Sequence, residues 1–253
     1  MTSLHLPSEL HELILSHFKP INDLHTALSS PDSEAIFRRY QKSVCSSAQL
    51  RFVNRTWNHF LTPSIYNLLV IPSRPSTPCR NRLQALDYHP ELVHTIILRS
   101  GGPGQERYDL QEEDANLLRD SLKGCTHLVG LETWVGRELF LASGRTYLPR
   151  VFDGINSPHF RSAVFFSMDL KTMLGGFGVM EDSIRNGLTE LVITKKRDSM
   201  PPAVEGEDDG GIGTTPRRLR HLSISGRDTF LNDPLFTHFL VSSPPPSLSV
   251  SRL

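Results

Sequence analysis

The chain has 253 residues, enough for one sizeable core or two modest ones, and its 38% hydrophobic and 21% charged content is that of a packed protein, which excludes a disordered tail or a fibre. Lysine plus arginine equals aspartate plus glutamate at 27 each, so no net field gathers nucleic acid or an anionic membrane around the molecule. Three cysteines, Cys45, Cys79 and Cys125, are too few and too scattered for a disulfide framework or a four-ligand zinc site, and point to a reducing compartment.

The opening residues carry Glu9 and Glu12 among their leucines and no basic region leading into an apolar run, so they do not read as a secretory signal. Nowhere do eighteen apolar residues run together, and the expectation is an intracellular protein of cytoplasm or nucleus that contacts no membrane. Pro7 suits a helix start, and Leu6, Leu10, Leu13, Ile14, Leu15 and Phe18 follow at mostly helical intervals until Pro20. A second helix is predicted from about Pro31 to Val44. A third, capped by Ser46 or Ser47, uses Leu50, Phe52, Val53, Trp57, Phe60 and Leu61 and stops at Pro63. Three helices of this size bury little surface, so such a module needs a neighbour or a partner to cover its remaining apolar face.

From Ser64 the pattern changes to short strand-like groups, each led by a hydrophobic residue three positions earlier. The marker positions Leu68, Ile96, Leu131, Val164, Leu191 and Leu222 are separated by steps of 28, 35, 33, 27 and 31. Helix-forming segments lie between them, notably Asp114 to Leu122 and Leu170 to Ile184. A strand, a turn and a returning helix form a unit that buries its apolar side only by stacking on its neighbours, as in a leucine-rich solenoid. A doubly wound α/β sheet also alternates strand and helix and is the competing architecture. The Asp198 to Arg217 segment reads as a flexible loop, Ile71 to Arg82 as a bridge, and Leu248 with Val250 as the start of one more strand.

The glycine groups lack both phosphate-binding patterns, the acidic run Glu205 to Asp209 lacks the oxygen-ligand order of a calcium loop, and neither HExxH nor GxSxG occurs. The expectation is therefore no enzyme, with no catalytic residue, metal or cofactor.

Leu6-Pro7-Ser8-Glu9-Leu10, followed by Ile14, Leu15 and Phe18, resembles the opening helix of an F-box, and Phe52-Val53-Asn54-Arg55-Thr56-Trp57 resembles its closing helix, with Asn54 where cysteine is usual. Asp23-Leu24 fits the short linker of that motif, although about twenty extra residues, roughly Thr26 to Gln49, intervene before Phe52. The following TPSIYNLLVI is similar to the tail of many fungal F-box proteins, where it leads into irregular leucine-rich repeats. The resemblance implies an α+β protein: an F-box-like helical module over residues 1–63, with an insertion at about 26–49, then an α/β leucine-rich-repeat-like solenoid over 64–253. It implies a non-catalytic substrate receptor of a cullin-based ubiquitin ligase, holding a target protein on the repeats and binding the cullin-bridging adaptor through Leu6, Pro7, Leu10, Ile14, Val53 and Trp57. Without that resemblance the same residues read as a leucine-rich protein-binding scaffold unconnected to ubiquitin.

Overall fold

The computed structural model describes residues 7–17, 33–72, 86–99, 112–134, 148–166, 178–194, 218–225 and 248–251. Two compact units divide between Leu69 and Val70.

The first unit contains helices α1 (Ser8–Ser16), α2 (Ser33–Leu50) and α3 (Arg55–Tyr66), and α3 packs against both others. The helix boundaries differ from those expected. α2 runs six residues past Val44, through the two serines read as caps of the next helix. Ser47 is buried, and its Oγ donates to the Ser43 carbonyl oxygen at 2.9 Å, so the hydroxyl is satisfied inside the helix and leaves no cap to offer. The cap of α3 is instead Asn54, in extended backbone, whose side chain accepts from the Trp57 N–H at 2.9 Å. Pro63 lies inside α3, and the helix continues three residues beyond it to Tyr66. Leu15, Tyr40, Leu61, Ile65 and Tyr66 are buried, and the Tyr40 hydroxyl donates to the Leu68 carbonyl oxygen at 2.6 Å.

The second unit is built on a sheet of seven strands: β1 (Leu68–Pro72, which begins in the first unit), β2 (Thr95–Arg99), β3 (Gly130–Trp134), β4 (Ser162–Phe166), β5 (Glu190–Thr194), β6 (His221–Ser225) and β7 (Leu248–Ser251). Their order across the sheet is the order of the chain, and β2 to β7 pair in parallel throughout. A doubly wound sheet reverses strand order at its ligand crevice, so this sequential order excludes that architecture. Helical segments alternate with the strands: a 3-10 turn at Pro90–Leu92, α4 (Glu112–Lys123), α5 (Leu148–Asp153) and α6 (Asp182–Arg185). α4 matches the expected Asp114 to Leu122 segment closely. Within the expected helix from Leu170 to Ile184, Gly178 and Val179 are helical, Met180 and Glu181 interrupt the run and α6 follows, with residues 170–177 outside the description. The predicted loop Asp198 to Arg217 also lies outside it, as does all of the bridge beyond Pro72.

The register explains why the unit recurs. Ile96, Leu131, Ala163, Leu191 and Leu222 align across neighbouring strands and are buried; two residues along, so do Leu98, Thr133, Phe165 and Ile193. A third buried row, Val93, Leu128, Phe160, Leu188 and Leu219, stands two residues before each strand. The aligned residue of the fourth strand is therefore Ala163; the expected marker, Val164, falls on the alternate row with Ile97, Glu132 and Val192. Side chains alternate across a strand, so a one-residue slip exchanges the two faces.

The same backbone joint links each repeat to the next. The His94 carbonyl oxygen accepts from both Val129 and Gly130, at 2.7 and 3.0 Å, and that of Val129 from Arg161 and Ser162, at 2.8 and 3.1 Å. The Arg161 carbonyl serves Thr189 and Glu190, and that of Thr189 serves Arg220 and His221, each pair at 2.8 and 2.9 Å. Between the helical segments Gly154 permits close approach, because a Cβ there would lie 2.5 Å from the Arg119 carbonyl oxygen. Phe152 and Phe165 meet edge to face with ring centroids 5.8 Å apart.

Candidate functional site

At 100° per residue, Leu10, Leu13 and Ile14 of α1 fall within an arc of about 100°. That arc points outward: the three are 43%, 60% and 37% exposed, whereas Leu15, on another side of the helix, is buried. A nine-residue helix with its apolar stripe in solvent inverts the usual arrangement. Complete burial of such a side chain is worth about 1.5–3 kcal/mol, of which each of these partly exposed residues forgoes a fraction.

A second exposed apolar spot occupies the turn between α2 and α3. The last carbonyls of α2 are satisfied within the turn: Arg51 N–H donates to Ser47, Phe52 to Gln49 and Val53 to Leu50, at 3.2, 3.2 and 3.0 Å. This tight path turns Phe52 and Val53 outward, 78% and 60% exposed, and the Arg51 guanidinium lies over the Phe52 ring at 5.0 Å.

Of the residues expected to contact an adaptor, Pro7, Leu10, Ile14 and Val53 are exposed and Trp57 is half-buried. Leu6 lies outside the described residues. Leu13 and Phe52 were absent from that set although both are more exposed than Ile14. Helical spacing signalled Leu13, three residues after Leu10. For Phe52 the spacing misled, because it read a turn residue as a helix-core residue.

The alternate row of the sheet has a different chemistry. Ile97, Glu132 and Val164 align across β2, β3 and β4 and are all buried, while on the row two residues earlier the Ser162 hydroxyl donates to Glu190 Oε2 at 2.7 Å. A backbone hydrogen bond, opposed by desolvation and aided by His89 and His127, holds the Glu91 carboxyl below its ordinary range. Along the same edge His94, His127 and His159 follow one another with ring centroids 6.3 and 5.6 Å apart, and the last two rings are stacked. Stacked imidazoles cannot both aim a ring-plane lone pair at one ion, and no group of three His, Cys, Asp or Glu able to hold a metal occurs among the described residues.

Burial pushes the Cys125 thiol up to about 12, with Asp87 and Glu91 adding to the effect, so the buried sulfur stays protonated and is a poor nucleophile. Cys45 is exposed. No described helix is long and apolar enough to cross a membrane. No family model, curated protein or solved structure matches the chain.

Proposed function

We propose that the chain is a non-catalytic substrate receptor: its N-terminal helices form an F-box-like module that docks on the adaptor of a cullin-based ubiquitin ligase, and its leucine-rich repeats hold the protein to be modified. The observation that carries this reading is the outward apolar stripe of α1, Leu10, Leu13 and Ile14. It lies in the segment whose Leu-Pro-x-Glu-Leu opening resembles an F-box, and its exposure is costly to a chain that keeps it in water. Phe52 and Val53, in the segment that resembles the closing helix, add a second such spot within the same unit. The sequential parallel sheet with its repeated backbone joint suits a rigid platform for a bound protein. In such an assembly the bond-forming chemistry belongs to the ubiquitin-charged enzyme, and the receptor contributes proximity and orientation.

The test is calorimetric titration of the full chain with the purified cullin adaptor, with folding checked by circular dichroism. A one-to-one complex supports the receptor reading. A folded chain that does not bind contradicts it and leaves the chain as a leucine-rich scaffold.

A further inference from the structure

Although the whole chain is neutral, residues 33–66 carry five cations, Arg38, Arg39, Lys42, Arg51 and Arg55, against the single carboxylate of Glu34. Arg38, Arg39 and Lys42 are exposed and share an arc of about 100° on α2. Arg51 and Arg55 bracket the exposed Phe52 and Val53. Arg55 is the first residue of α3, and that helix has no acidic residue in its first turn. A cation at this end of a helix meets the positive end of the macrodipole, so Arg55 is placed unfavourably in the free chain and a carboxylate brought beside it relieves the repulsion. The guanidinium of Arg51 over Phe52 holds charge and ring together, and that contact strengthens when water is excluded.

We infer that the α2–α3 turn receives an acidic-rimmed apolar recess of the partner, with Phe52 and Val53 entering the recess and Arg51 and Arg55 meeting carboxylates on its rim. The inference rests on the adaptor-docking reading above and gives that surface its chemistry. Arg38, Arg39 and Lys42 add a steering field that speeds encounter with an acidic protein. A protein is favoured over nucleic acid because the cations frame an apolar spot within a chain of no net charge.

The experiment titrates the adaptor into the full chain at about 50 and about 500 mM salt, which spans weak to strong screening. It is repeated with Arg51→Gln/Arg55→Gln and with Phe52→Ala, and the chain is separately mixed with a single-stranded DNA homopolymer. Wild-type affinity is expected to fall about tenfold or more across the salt range. The double variant should bind more weakly at low salt and with a shallower salt dependence, while Phe52→Ala should bind more weakly at both salts with the dependence kept. Adaptor binding that ignores salt and the arginine substitutions overturns this inference alone, leaving the receptor reading intact. Absence of adaptor binding overturns both. DNA binding abolished by the arginine substitutions, with no adaptor binding, assigns the cations to nucleic acid and overturns the inference.

Discussion

The helical unit gathers its exposed apolar side chains on one helix face and one turn, whereas those of the repeat unit, Tyr88, Leu117, Val129 and Val179, are scattered along the chain. In the repeat unit, three aligned rows are sealed from water, from Val93 to Leu219, from Ile96 to Leu222 and from Leu98 to Ile193. In the helical unit, Leu15, Leu61 and Ile65 make a small core, and Leu10, Leu13, Ile14, Phe52 and Val53 stay outside it. A side chain whose environment is complete in the folded chain governs stability; one left in solvent governs what else the chain can bind. Substitutions in the two regions should therefore separate, one set changing unfolding and the other changing association.

The largest effect is expected at Phe165→Ala, which empties a fully buried site against Phe152 and should cost about 3–5 kcal/mol by denaturant unfolding. A loss within experimental error would mean that the repeat core is loosely packed. Next, Leu10→Ser with Ile14→Ser should weaken adaptor binding by more than about 2 kcal/mol. The same pair should move stability by only about 0.5 kcal/mol per site, and a large stability loss instead would place the α1 stripe with the core residues. Gly154→Ala, which drives a methyl into the Arg119 backbone, should cost about 1–3 kcal/mol and leave adaptor affinity unchanged.

Asn54→Ala removes the cap of α3 and should cost about 1 kcal/mol in the helical unit, seen as faster amide exchange over residues 55–58. The smallest effect concerns Cys125, whose folded thiol titrates at about 12 against an ordinary 9.0. Above pH 9.0 the unfolded thiol loses its proton while the folded one keeps it, so its contribution to stability falls as pH rises toward about 12. Just above pH 9.0, wild-type stability should decline slightly more steeply than that of Cys125→Ala; parallel curves would remove the thiol from the account.

Much of the sheet was legible because parallel stacking imposes a local rule. A buried residue three positions before each strand marker holds at Val93–Ile96, Leu128–Leu131, Leu188–Leu191 and Leu222 after Leu219. Applied to Phe160, that rule selects Ala163; Val164 is the larger and more hydrophobic neighbour but lies one residue out of register. The helical unit was less legible, since Ser46 and Ser47 have the composition of a cap and only the Ser47 bond to the Ser43 carbonyl distinguishes a helix interior from a helix start. Exposure of the α1 stripe was also beyond reach of periodicity, which identifies an apolar face without identifying what covers it.

Hydrogen exchange on the full chain, alone and saturated with the adaptor, tests most directly whether the helical unit keeps its apolar side chains for another protein. Added protection is expected at residues 8–16 and 51–57 alone, with the strands β2 to β6 unchanged. Protection gained in those strands while residues 8–16 and 51–57 exchange as before would contradict that expectation.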